Sequence, residues 1–146
     1  AKINARMLHE MLANTWPVVV CGLGNLGRAL ANHTGFTDAG FPVVAAVDID
    51  LDNFGGTIDG VPVFAPADLS EVINEFEIAI GVIATPAGAA QGVAAALVEA
   101  GVKSIMSFVP TVLVVPDDVE LRVVDLATEL QILGFHLHRS NGNAKT

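Results

Sequence analysis

The 146 residues are one domain's worth of chain, enough to bury roughly 68–70% of its unfolded surface, and 52% are hydrophobic against 16% charged, which implies that a partner covers part of the surface. Seven scattered Lys and Arg against sixteen Asp and Glu give a net charge of −9, excluding strong nucleic-acid binding by this chain alone, because that requires clustered cations. No apolar run reaches the ~18 residues of a membrane span, the N-terminus lacks a signal-peptide layout, and the single Cys21 excludes an internal disulfide and fits a reducing cytoplasm.

In chain order, Ile3, Met7, Leu8, Met11 and Leu12 fall at helical spacing and predict a helix over 2–15, stopped by Pro17. Residues 17–21 read as a buried strand, and Asn25 to about Thr34 as a helix. Val43–Val47 is a second strand, Asp52–Gly60 a glycine-rich loop, Val61–Phe64 a short strand and Pro66–Glu75 a helix. Ile78–Ile83 is a buried strand ending at Ala84-Thr85-Pro86, followed by an Ala-rich helix over 87–100 that Gly101 closes. Ser104–Ser107 and Val112–Val115 read as strands five and six, with Val119–Val124 a candidate seventh. Asp125 caps a last helix running to about His138, and 140–146 reads as a disordered tail. Nearly continuous apolar strands alternating with helices mean a parallel sheet covered on both faces: an α/β, doubly wound Rossmann fold.

Between the first strand and helix stands Gly22-Leu23-Gly24-Asn25-Leu26-Gly27, and the second strand ends at Asp48. Strand, glycine turn, helix, strand and acid in that order form the context a dinucleotide fingerprint requires. Gly22 permits the tight turn, Gly24 lets backbone approach a pyrophosphate, and Gly27 lets helix and strand pack closely. Helix N–H groups and the positive end of the helix dipole then face the phosphates. The Asp48 carboxylate suits ribose hydroxyls and repels a 2′-phosphate, and no Arg or Lys follows in Ile49-Asp50-Leu51-Asp52, so the pattern favours NADH and NAD+ over their phosphorylated forms. Ile49 joins the candidate cofactor-binding set. Ligands on such sheets bind at the carboxyl ends of the strands, which brings in Thr85, Pro86 and Phe108 as candidates for the nicotinamide half. Pro86 is equally a strand terminator, and Phe108 is either core or pocket wall.

Support for turnover is thin. A dehydrogenase needs a placed acid or base, yet the chain has no Tyr, and none of Lys2, Lys103 and Lys145 lies at a predicted strand C-terminus. His9, His33, His136 and His138 read as surface or packing residues, no cluster has metal-ligand spacing, and Cys21 reads as an inert buried thiol. No catalytic residue and no metal site are assigned. On the last helix, Leu126, Leu130, Leu133 and Leu137 form one apolar stripe, with Ala127, Ile132 and Phe135 on other faces. Such a helix is buried on more than one side. It packs on its own sheet or, as the preferred reading, is swapped into a second subunit.

Together with Trp16-Pro17-Val18-Val19-Val20, the glycine segment Gly22–Asn32, Gly81–Gln91, Ser107–Leu113 and Val124–Leu133, the chain resembles the redox-sensing transcriptional repressors called Rex over about residues 4–138. The Ala84-Thr85-Pro86-Ala87-Gly88-Ala89-Ala90-Gln91 version looks like the actinobacterial branch. The resemblance implies a cytoplasmic homodimer that senses the NADH/NAD+ ratio, NADH releasing the parent protein from operator DNA. It also implies a C-terminal helix exchanged between subunits, with an acid at Asp125 taking part in the switch. The N-terminal winged helix that would hold DNA is missing here, and residues 1–15 match the connecting helix that would follow it. The expected organisation is therefore a connecting helix (1–15), a Rossmann domain (16–124), a dimerisation helix (125–139) and a tail (140–146). Two alternatives stand beside it. One is an NAD-dependent oxidoreductase subunit; the other is a CoA-binding Rossmann domain, against which Asp48 argues by repelling a ribose 3′-phosphate.

Overall fold

The computed structural model describes residues 15–32, 34–49 and 56–144. The helix expected over 2–15, apart from its last residue Thr15, and residues Lys2, His9, His33, Asp50, Asp52 and Lys145 lie outside them.

Strands β1 (Val18–Cys21), β2 (Val43–Val47), β3 (Thr57–Ile58), β4 (Val61–Phe64), β5 (Ile80–Ile83), β6 (Ser104–Ser107) and β7 (Glu120–Val123) form one sheet in the order β3-β4-β2-β1-β5-β6-β7. Every pairing is parallel except β3 with β4. The chain builds outward from β1 through β2 to β4, then returns to β5 on the other side of β1 and builds outward again. The direction of winding reverses between β1 and β5, which opens a crevice at their carboxyl ends. The architecture is the expected Rossmann-type α/β sheet.

Strand alternation sorts the core into two layers. Val19, Cys21, Ala45, Val47, Ile83 and Ile105 pack against α3 (Leu69–Glu75) and α4 (Ala87–Glu99). Val18, Val20, Ala46, Val63 and Val82 face α1 (Asn25–Ala31) and α2 (Thr34–Asp38). Ala90, Ala94 and Leu97 recur at helical spacing on α4 and are fully buried. Gly81 lies beneath Leu97, where a Cβ would stand 2.6 Å from the leucine Cδ1, so this glycine lets helix and sheet approach.

Four expectations are revised. The segment expected as a loop up to Gly60 contains β3, because Asp59 (φ +49°) and Gly60 (φ +84°) make the Asp-Gly turn that closes a two-residue hairpin. The first Rossmann helix ends at Ala31, and the separate α2 begins at Thr34. Residues Val112–Val115 form no strand, because a side chain occupies the backbone groups of Val114 that a neighbouring strand would pair. The last helix, α5, runs Leu126–Ala144, past the end expected from the polar composition after His138.

Truncating Leu97 to Ala leaves a cavity between α4 and the sheet and is expected to destabilise the fold by about 2–5 kcal/mol in urea unfolding.

Candidate functional site

The glycine turn follows β1 at the crevice. Gly22 has φ +102°, and a Cβ there would stand 2.7 Å from the Ala84 carbonyl and 2.8 Å from the Thr85 nitrogen. Its N–H donates to the Val47 carbonyl at 2.8 Å, tying the turn to β2. A Cβ on Gly27 would fall 1.7 Å from the Gly22 oxygen, so α1 can start here only with glycine at that position. Gly24 differs: nothing lies within 4 Å of its Cβ position. It is the extended N-cap of α1 and supplies no capping side chain, leaving the amides of the first turn open to a ligand. Leu23 and Leu26 point into the α1-side core, while Asn25 is exposed.

Asp48 closes the other side. Its N–H donates to the Phe64 carbonyl at 3.1 Å, and its Oδ1 accepts the Leu23 N–H at 3.2 Å. The carboxylate is thereby keyed to the glycine turn. Arg28, which sequence reasoning did not single out, donates from Nε to the Leu23 carbonyl at 3.2 Å and braces the same loop. An arginine one residue after the last glycine is its only signal in the sequence.

Asp48 and Ile49 share a cleft of about 260 Å3 with Gly22, Thr85, Pro86 and α4 residues Ala89 and Val93. Ile49 is 78% exposed at its mouth. The Thr85 hydroxyl donates to the Pro86 carbonyl at 3.1 Å. Phe108 is not in this cleft. Its N–H donates to the Ile83 carbonyl, but its side chain lines an apolar groove of about 190 Å3 on the α1 side of the sheet, with Val20, Val82 and Met106. The expected pocket walled by Pro86 and Phe108 together is therefore split across the sheet. Ile105 and Ser107 point to the α4 side, so Met106 and Phe108 must point to the other.

Asp125 caps α5: Oδ1 accepts the Thr128 N–H at 3.1 Å and Oδ2 the Thr128 hydroxyl at 2.8 Å. These bonds to the charged form hold its carboxyl below the usual aspartate range. Beyond it, Leu126, Leu130, Leu133, Phe135 and Leu137 are all exposed, Leu130 by 67%. Cys21 is buried in the α4-side core, and desolvation pushes its thiol up to about 12. Among the described residues no group of His, Cys, Asp and Glu is arranged to hold a metal ion, and no helix is long and apolar enough to cross a membrane.

Comparison with known proteins bears on this geometry. Residues 13–111 match the family model described as a CoA binding domain. The redox-sensing transcriptional repressor Rex of Streptomyces avermitilis is 53% identical over 131 residues, covering 90% of this chain and 52% of that protein. The crystal structure of RSP, a Rex-family repressor, superposes with a TM-score of 0.84 at 34% identity, covering 98% of this chain and 71% of RSP. The chain belongs to the Rex family. Rex relatives are named as transcriptional repressors, not enzymes. RSP has also been solved with beta-NADH (TM-score 0.83, 35% identity, 96% of this chain and 69% of RSP) and with beta-NAD+ and operator DNA (0.81, 36%, 92% and 62%). The chain spans about half the length of the Streptomyces Rex repressors it matches.

Two outcomes follow. With its thiol raised to about 12, Cys21 is expected to resist thiol reagents at neutral pH in the folded chain and to react once denaturant exposes it; a disulfide-exchange assay reads both. Because the folded-state pKa of Asp125 is depressed, its capping is present above the ordinary aspartate range and lost as pH falls through the lowered value. Helicity of α5, followed by circular dichroism, should decline on acidification, and Asp125→Asn, which still caps, should remove that component.

Proposed function

We propose that this chain is the NAD(H)-sensing domain of a Rex repressor. In this reading the pyrophosphate lies over Gly22–Gly27, and the Asp48 carboxylate takes the ribose hydroxyls. Ile49, Thr85 and Pro86 hold the adenosine half in their shared cleft. The nicotinamide half then runs the other way from β1, across the ends of β5 and β6 towards Phe108. The observation that carries the reading is the union of three features at one strand end: an open Gly24, an uncapped first turn of α1, and a carboxylate fastened to the same loop. These residues fit a dinucleotide.

Sensing needs differential affinity, since a ligand shifts a two-state equilibrium only by its affinity difference between the states. NADH and NAD+ differ only at the nicotinamide, which is neutral in one and cationic in the other. The groove at Phe108 is lined by apolar side chains, and burying an unpaired cation against such a wall is unfavourable. NADH is therefore the form this end should prefer. The exposed apolar residues of α5, from Leu126 through Leu130 to Leu133, suit a helix exchanged within a homodimer, with Asp125 at its start as the switch residue. Operator DNA would be held by a winged-helix domain elsewhere in the full protein, in the cytoplasm, and released on NADH binding. The family model's name suggests coenzyme A instead. Asp48 disfavours it, because that ligand carries a phosphate on the ribose the carboxylate would meet.

Asp48→Ala should weaken NADH and NAD+ by the same factor, about 10- to 100-fold, since both carry the same ribose; unequal weakening would sink the ribose assignment. Gly24→Ala, with open space around the new methyl, should leave the melting temperature nearly unchanged while reducing affinity for both forms.

A further inference from the structure

The connection between β6 and β7 leaves the carboxyl end of β6 at Phe108 and returns to the amino end of the parallel β7, with Val109 and Leu113 packed in the α4-side core. Phe108 itself is held by its N–H bond to the Ile83 carbonyl at 2.9 Å, and two fastenings follow it. At its start, the Ser107 hydroxyl oxygen accepts the Val109 N–H at 3.1 Å inside the core. Further on, the Gln91 carboxamide grips one residue twice: Nε2 donates to the Val114 carbonyl at 3.0 Å, and Oε1 accepts the Val114 N–H at 2.8 Å. This reproduces with a side chain the pair of bonds a neighbouring strand would make. Leu113 is buried, while Val112 before it and the fastened Val114 after it turn outward, 88% and 76% exposed. Burial of Leu113 seats the segment, and the carboxamide sets its position and orientation along α4.

We infer that Gln91 is a positioning residue for the nicotinamide end of the site, holding the Phe108–Val114 segment at a fixed place relative to α4. The inference rests on the cofactor reading above. The helix is a rigid reference, because Ala90, Ala94 and Leu97 anchor it on the sheet. The same helix presents Ala89 and Val93 to the adenosine cleft, and Pro86 is its N-cap. Gln91 therefore keys the two ends of the crevice to one element. Without the carboxamide, the segment after Phe108 keeps its apolar anchor but loses a bidentate fix, and ordering it becomes a cost of binding the nicotinamide.

The test is calorimetric titration of the chain and of Gln91→Leu with NADH and with ADP-ribose, which carries the adenosine and pyrophosphate but no nicotinamide. Gln91→Glu serves as a second variant should the leucine protein fold poorly; it keeps the acceptor for the Val114 N–H but sets a carboxylate against the Val114 carbonyl. ADP-ribose affinity should stay within about twofold of the unaltered chain while NADH weakens by about 5- to 10-fold, the scale of one or two lost hydrogen bonds. Equal weakening of both ligands would mean a general effect on α4 and overturn the inference, as would no change in either. If the unaltered chain fails to bind NADH, the cofactor reading itself falls and this one with it. Unaltered NADH binding with an unchanged NADH-to-ADP-ribose ratio in the variant removes Gln91 alone.

Discussion

The carbonyl oxygen of Gly22 occupies the space that any side chain at position 27 would need, at 1.7 Å from the Cβ site. That contact lets α1 begin directly off β1, and the left-handed Gly22 lets the chain turn past the Ala84 carbonyl to do so. With α1 so placed, the Leu23 N–H reaches the Asp48 carboxylate and its carbonyl reaches Arg28. The acid at the end of β2 and the turn at the end of β1 become one unit. Close packing and an open backbone thus meet in one turn: two glycines are required by close contact inside the protein, and the one between them leaves the approach to the backbone open.

The sheet divides that unit's surroundings. Side chains at successive strand positions go to opposite faces, so the cleft with Asp48, Ile49 and Pro86 lies on the α4 side and the apolar groove with Phe108 on the α1 side. The first is lined mostly by apolar side chains around the Asp48 carboxylate, and the second runs beneath the sheet from Phe108 to Val18, Val43 and Ile80 at the amino ends of their strands. α5 extends beyond β7 with its apolar residues uncovered within the chain, in keeping with the 52% hydrophobic composition.

Much of this was legible in the sequence because it rests on local steric necessity. A strand, a glycine turn, a helix and an acid at the right separation have few alternative arrangements, and alternating apolar strands and helices determine a parallel sheet. Asp125 as a helix cap was equally legible, from an acid before an apolar run. The Asp59-Gly60 hairpin was present as a dipeptide signal but was submerged in a glycine-rich stretch. Val112–Val115 has strand composition, and only a partner 23 residues away, the Gln91 carboxamide, decides otherwise. The face that Phe108 takes depends on the register of β6, which fixes Ser107 on the α4 side, and composition says nothing about register. The reach of α5 to Ala144 runs against the polar, glycine-containing sequence after His138.

Calorimetric titration of the unaltered chain with NADH, NAD+, NADPH and coenzyme A in one buffer bears most directly on the redox-sensing role. NADH should bind tightly, NAD+ much more weakly, and the two ligands with a phosphate on the adenosine ribose hardly at all. Equal affinity for NADH and NAD+, or a preference for coenzyme A, would leave the Rossmann sheet intact and contradict the sensor.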